Sequence, residues 1–299
     1  IFRESGKMEA AYGLAISLNM IMTTSLLAYF MHVKRKPKYL IWAFLIFYMW
    51  IELTFLTANL NKFEHGGWFA ILIAAVIFTL MYFFKEGKKL RNKHIEFVEL
   101  KDYLDDIMDL QNDGTIPKEA TNLVFMCNTN DKRHIDSNII YSMFRKKPKR
   151  ADTYWFVHVD TTDEPYTMEY KVHVIESDDI IKVNFKLGFR IEQRINLYFR
   201  KVIEDMVKNK EVDITSRYES LNRQNVIGDF RFVVLEKFLS YENKLPFFER
   251  IVMEAYFFVK GFTTSEDKWF GLDSSAVKVE KVPLIIRPVE NVKLKRVYN

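Results

Sequence analysis

The chain of 299 residues carries 44 Lys and Arg against 39 Asp and Glu, a net charge of +5, and a single cysteine. The lone Cys127 excludes an internal disulfide framework and a Cys-rich zinc site. The small positive excess, much of it in two clusters, points to anionic lipid headgroups rather than nucleic acid, and no Arg block with interleaved aromatics suggests an RNA or DNA groove.

Ile1-Phe2-Arg3-Glu4-Ser5 reads as the interior of a longer chain. Three apolar runs follow, Ala10 to Val33, Tyr39 to Asn61 and His65 to Phe84, each with about the 20 residues a helix needs to cross hydrocarbon. A buried core helix is usually shorter and keeps a polar face, and a secretory signal does not occur three times. The mean hydropathy of −0.12 has the look of a soluble protein only because a charged second part dilutes these runs. Lys34, Arg35, Lys36 and Lys38 follow the first run, and Lys85, Lys88, Lys89, Arg91 and Lys93 follow the third. Lys and Arg stay cytoplasmic, so the first helix is predicted to run inward, the second outward and the third inward again. Residues 1–84 are then the membrane part and 85–299 a cytosolic C-terminal domain of a multi-pass protein of the cell (inner) membrane.

An ionisable residue inside a span is expensive and is treated first as functional. Glu52, in Trp50-Ile51-Glu52-Leu53-Thr54, is the acid in the middle of an apolar run and the candidate for an ion path. Its open alternatives are to carry a proton, to line that path, or to bond a neighbouring helix while protonated. Asn59 and Asn61 are expected to cap the second helix or bond across helices. Asn19, Thr23 and Thr24 read as packing residues, because Thr can return its hydroxyl to its own helix. Gly66-Gly67-Trp68 forms a tight outer turn with an aromatic at headgroup level.

Beyond Lys93 the period changes. Ile95 to Leu100 is predicted as a strand, Lys101 to Asn112 as an amphipathic helix, and Asp113 to Pro117 as a turn. Thr121 to Asn128 is a buried-type strand, Ile135 to Lys146 a helix, and Thr153 to Thr161 a strand. Tyr170 to Ile175 and Ile180 to Leu187 flank a hairpin turn at Ser177-Asp178-Asp179. Gln193 to Asn209 and Phe247 to Phe262 are helices with the strand Phe230 to Leu239 between them, and Val277 to Ile286 is a last strand. This alternation predicts an α/β sheet covered by helices.

The tail offers little chemistry. Neither a G-x-x-x-x-G-K-[ST] loop nor a G-x-G-x-x-G turn is present. His94, His134, His158 and His173 lack ligand spacing, and His158 and His173 fall in strands. Asp102, Asp105, Asp106 and Asp109 form a solvated helix face rather than a calcium loop. Arg145-Lys146-Lys147-Pro148-Lys149-Arg150 reads as a solvated loop, with phosphate binding by it and by Arg190, Arg194 and Arg200 as the alternative. No catalytic residue, metal ligand or cofactor site is assigned.

Several motifs carry a resemblance. Ala58-Asn59-Leu60-Asn61-Lys62-Phe63-Glu64-His65-Gly66-Gly67-Trp68 resembles the ANL-x-K-x-x-x-GGW hairpin between the last two membrane helices of the Kup/HAK/KT potassium uptake family. Ala10-Ala11-Tyr12-Gly13-Leu14-Ala15 is similar to that family's AAYG-[IL]-A element, and Glu52 falls where members commonly carry an acid. In the tail, Asp163-Glu164-Pro165-Tyr166 and Gly188-Phe189 look like its D-x-P-Y and GF turns, while Lys281 to Ile286 departs from its V-V-E-L-G ending.

The resemblance implies helices ten to twelve of a twelve-helix bundle, followed by a cytosolic α/β domain. It also implies potassium uptake by K+/H+ symport. K+ and H+ are then the transported partners, and the principal potassium ligands lie in earlier helices outside this chain. Membrane lipids, a homodimer through the tail and a regulatory nucleotide are the further expected partners. A membrane-tethered α/β enzyme is the alternative, resting on Asp160, Asp163 and Glu164 at a strand end.

Overall fold

The computed structural model of the protein describes residues 5–61, 63–176, 179–216, 218–224, 226–240, 243, 245–272 and 275–284. The chain divides into two compact units, 1–85 and 86–299.

In the first unit, α1 (Ser5–Val33) and α2 (Lys38–Leu60) pack side by side. Arg35, at φ 54°, takes the left-handed conformation in the turn between them, and Pro37, at φ −57°, presets the entry to α2. The buried positions of α1 are Ala10, Ala11, Leu14, Ser17, Thr24 and Ala28, mostly small side chains along one stripe, as close helix packing in lipid requires. Elsewhere the helices are apolar all round, with Tyr39, Trp50 and Phe78 facing outward. Met8–Val33, Lys38–Leu60 and Trp68–Lys93 contain 26, 23 and 26 residues. At about 1.5 Å per residue each is long enough for about 30 Å of hydrocarbon.

The third run differs from its predicted bounds. Phe63–Gly67 is a π-helical turn broken by Gly66 at φ 129°, so α3 (Trp68–Lys93) begins only at Trp68. At the other end the helix continues past Phe84 through Lys85–Lys93, because Lys, Glu and Arg propagate a helix well and no proline stops it.

The second unit opens with β1 (Phe97–Glu99), a 3₁₀ turn at Leu100–Tyr103 and α4 (Leu104–Asn112). β2 (Lys118–Cys127) and β3 (His134–Asp136) precede α5 (Ser137–Ile140), which runs on as a π-helical turn to Lys146. Then come β4 (Arg150–Thr162), β5 (Met168–Glu176), β6 (Ile180–Gly188), α6 (Ile195–Lys208) and α7 (Glu219–Asn222). β7 (Phe230–Leu239), α8 (Phe247–Gly261), α9 (Glu266–Trp269) and β8 (Val277–Leu284) complete the described part.

The main sheet has the order β5-β6-β4-β2-β7-β8, parallel except for β5, which pairs antiparallel with β6 at the edge. Its central strands are near-continuous apolar runs, as burial on both faces demands. Alternate residues serve opposite layers. Leu123, Phe125, Tyr154, Phe156 and Val233 pack with Ile107 of α4 and Ile139 of α5. Val124, Met126, Trp155, Val157 and Ile181 pack with Phe199, Val202 and Met206 of α6.

Ile135 to Lys146 is not one helix. Its first residues form β3, which pairs antiparallel with β1, and buried Ile135 faces Val98 across that ribbon. Strand pairing and burial override the local helix pattern there. Ser177 and Asp178 of the expected hairpin turn, and Ile285 and Ile286 of the expected last strand, lie outside the described residues. The D-x-P-Y and GF turns meet in space. The Gly188 amide donates to Thr167 O at 2.8 Å, and a Cβ on Gly188 would sit 2.4 Å from the Pro165 carbonyl.

Candidate functional site

The polar groups of the first unit form a seam between α1 and α2. Glu52 is the buried residue of α2, only 4% exposed. Its Oε1 accepts a hydrogen bond from Thr24 Oγ1 at 2.5 Å, while Oε2 is buried without a hydrogen-bond partner among the described residues. Two turns along α2, Asn59 Nδ2 donates to Ser17 Oγ at 2.7 Å and to Gly13 O at 3.2 Å. Ser17 Oγ itself donates to Gly13 O at 2.9 Å. Gly13 is small of necessity, since a Cβ there would meet Asn59 Oδ1 at 2.8 Å. The AAYG and ANL motifs are therefore two sides of one contact.

Antiparallel helices with a polar residue every seven positions bring Thr24 to Glu52 and Ser17 to Asn59. Asn59 bonds across helices as expected, and Thr23 returns its hydroxyl to Asn19 O at 2.8 Å. Thr24 does not, contrary to its reading as a packing residue, because a carboxylate is the stronger acceptor. The seam can hold one carboxyl in a fixed rotamer with an oxygen left for a proton, a cation or a donor from another helix. Sequence reasoning missed Thr24 and Ser17 as partners; the signal that could have found them is their seven-residue spacing, matched by that of Glu52 and Asn59.

In the tail, strand order reverses between β2 and β7, where open parallel sheets commonly bind ligands beyond the carboxyl ends of their strands. The crevice is lined by Cys127, Asn128, Asp136, Leu235, Lys237 and Glu266, but its volume is only about 40 Å³. That admits a few waters, not a nucleotide, which needs at least about 300 Å³. Lys237 Nζ lies there, 3.7 Å from Asp136 Oδ1, and burial lowers its pKa. Cys127 is buried and its thiol is pushed well up by burial, as befits a small hydrophobe.

The basic stretch 145–150 is not one solvated patch. Lys149 is fully buried, ion-paired with Glu280 at 3.1 Å and bonded to Ser142 O at 2.5 Å. Burial raises the Glu280 carboxyl, but hydrogen bonds from Ser142 and Lys149 outweigh it and hold the pKa below the ordinary range. Arg150 Nε donates to Gln111 O at 2.9 Å. Arg145 lines a cavity of about 540 Å³ with Tyr103, Asp106, Tyr141 and Phe144. Arg190 donates to Tyr166 Oη and Arg194 to Glu192, while Arg200 lines a different, apolar cavity beside Phe199 and Ile203.

His158 bonds Cys127 O at 2.9 Å and Asp160 at 3.0 Å inside the sheet, a structural role. Asp102, Asp105, Asp106 and Asp109 are all exposed. Among the described residues no group of three or more His, Cys, Asp and Glu is placed to hold a metal.

Three helices long and apolar enough to span a bilayer, a polar seam between two of them and an α/β tail define an integral membrane protein. The description "K+ potassium transporter integral membrane domain" matches residues 1–89, and "K+ potassium transporter C-terminal domain" matches residues 120–294. The chain belongs to this potassium transporter family. The tethered-enzyme reading falls with that membership, since the family is one of transporters.

The chain is 51% identical over 299 residues to a "Probable potassium transport system protein Kup" of Cytophaga hutchinsonii, covering 99% of this chain and 46% of that relative. It is 49% identical to a protein of the same name from Flavobacterium johnsoniae, covering 99% and 45%, and 40% identical to one from Clostridium perfringens, again covering 99% and 45%. It thus spans a little under half the length of these relatives. No solved structure matches the chain.

Proposed function

We propose that this chain is the carboxy-terminal part of a potassium uptake transporter that couples K+ entry to H+, with three helices in the cell (inner) membrane as part of a twelve-helix bundle and the tail in the cytoplasm. The observation that carries the reading is the match along nearly the whole chain to relatives named as potassium transport proteins. The basic clusters after the first and third helices support the orientation. Potassium needs a mid-membrane site of carboxylates, carbonyls and hydroxyls in place of its hydration shell. In this proposal the principal ligands come from helices outside this chain, and Glu52 with Thr24 contributes a proton-bearing group at the edge of the path. The test is complementation: the full-length gene restores growth at low potassium to an uptake-deficient strain, and uptake is driven by an imposed proton gradient. Normal membrane expression without rescue sinks the transport reading, while rescue indifferent to the gradient sinks the coupling alone.

A second role for the tail rests on the cavity lined by Arg145, Tyr141 and Phe144, with Glu96 and Asp106 also on its wall, which has the size for a nucleotide whose base stacks on the aromatics and whose phosphate meets Arg145. Calorimetry of the full-length protein against ATP and cyclic dinucleotides tests it. Absence of heat leaves the tail as a folding or dimerisation platform.

A further inference from the structure

Helix α8 is apolar on two sides. One side carries buried Met253 and Tyr256 and packs on β7. The other carries Phe247, Phe248, Ile251 and Phe258, continued by Phe262 just past the helix end, with Phe248 and Phe262 80% and 79% exposed. At about 100° per residue these five positions fall within an arc of about 100°, turned away from the buried pair. A contiguous exposed aromatic patch marks an interaction surface.

We infer that this aromatic face lies in the cytoplasmic lipid interface, as an in-plane amphipathic helix. The inference rests on the reading that α3 spans the membrane. Location and charge select lipid as the occupant. Tyr256 packs so closely on Gly87 that a Cβ there would sit 2.4 Å from the Tyr256 Cβ, and Arg91 Nη1 donates to Tyr256 Oη at 3.0 Å. Gly87 is three residues beyond Phe84, where the apolar run of α3 ends, which is about 4.5 Å along the helix axis. The headgroup layer is about 5–8 Å thick on each side of the hydrocarbon, so α8 meets α3 at that depth. Charge agrees on the α3 side, because Lys85, Lys88, Lys89 and Lys93 are exposed there and suited to anionic headgroups, while on α8 the exposed Arg250 and Glu254 at the edge of the aromatic face offset one another. Aromatic side chains on such a helix enter about 5–10 Å into the headgroup and acyl boundary.

The test uses the full-length protein in vesicles of phosphatidylcholine with or without phosphatidylglycerol. An environment-sensitive fluorophore is placed on a single introduced cysteine and quenched by lipid-borne nitroxides. Three variants are compared: Phe258→Cys on the aromatic face, Asp109→Cys on exposed α4, and Ala75→Cys within α3. Position 258 is expected to be quenched by shallow nitroxides at least about twofold more than position 109, and more strongly with the anionic lipid. Quenching at 75 with none at 258 overturns the docking and leaves the span intact, whereas no quenching at 75 overturns the span itself. A blue-shifted but unquenched reporter at 258 means that protein, either a second copy or the rest of the transporter, covers the face, and also overturns the proposal.

Discussion

Glu52 and Glu280 are both buried acids, but their partners set different consequences for losing the charge. Glu52→Gln keeps the shape and an oxygen for the Thr24 hydroxyl, so the protein is expected to reach the membrane in normal amount. In the proposed role of Glu52, rubidium-tracer uptake slows or its pH profile moves; a wild-type rate and profile would reduce Glu52 to an interhelical hydrogen bonder. Thr24→Val removes the donor and leaves Oε1 as well as Oε2 without a partner, costing about 1–3 kcal/mol and lowering the amount of folded protein, while Thr24→Ser restores it. In the tail, Glu280→Gln strands the fully buried Lys149 charge, an expected loss of about 3–5 kcal/mol at neutral pH. The folded pKa of Glu280 is depressed, so its stabilisation is present above its unfolded value, about 4.3, and is lost as pH falls through the lower folded value. The protection of β4 and β8 amides, measured against their intrinsic exchange rate at each pH, should therefore fall below about pH 4 in the wild-type protein. In the variant the protection is already reduced at pH 7.

At the scale of elements, two glycines hold pieces of the tail together by having no side chain. Gly188→Ala forces a Cβ onto the Pro165 carbonyl, backbone that cannot swing aside, and Gly87→Ala forces one onto the base of Tyr256. Each is expected to cost about 1–3 kcal/mol, read as a fall in the Tm of the tail transition; an unchanged Tm for Gly188→Ala would mean the 163–166 turn moves freely. The sequence made β7, α6 and α8 legible to within about two residues, because amphipathic period and burial agree there. It misjudged 135–146, where pairing of His134–Asp136 with β1 is a nonlocal fact that no local pattern carries. The end of the membrane run at Phe84 was legible from hydropathy, but hydropathy does not report that the helix continues in water to Lys93. Of the seam, Glu52 and Asn59 stood out as polar residues in apolar surroundings. Thr24 was missed because a threonine in a membrane helix ordinarily bonds its own backbone, and only the antiparallel register places it opposite an acid. Lys149 was hidden in a basic run, and Glu280, which buries it, lies 131 residues further on.

For the whole molecule, the alternation of basic clusters predicts an orientation that labelling can test. With Cys127 buried, cysteines placed at Lys36, Asn61 and Lys93 in an otherwise thiol-free background should respond to an impermeant maleimide from outside only at position 61. Labelling at 36 or 93 would invert the topology. The order of the sheet has a consequence of another kind, in how the protein is made. β2 emerges from the ribosome first among the long strands yet stands at the centre, and its pairing with β7 begins with Asn122 opposite Phe230, 108 residues later. At about 5–20 residues per second, one side of Leu123-Val124-Phe125-Met126 goes unpaired for roughly 5–20 s during translation. An apolar strand edge bare for that long is a template for pairing with another nascent chain. Polysomes crowded with this message are therefore where the tail is most open to aggregation, and slower translation between β6 and β7 lengthens that exposure, although the finished fold buries the same strand on both faces.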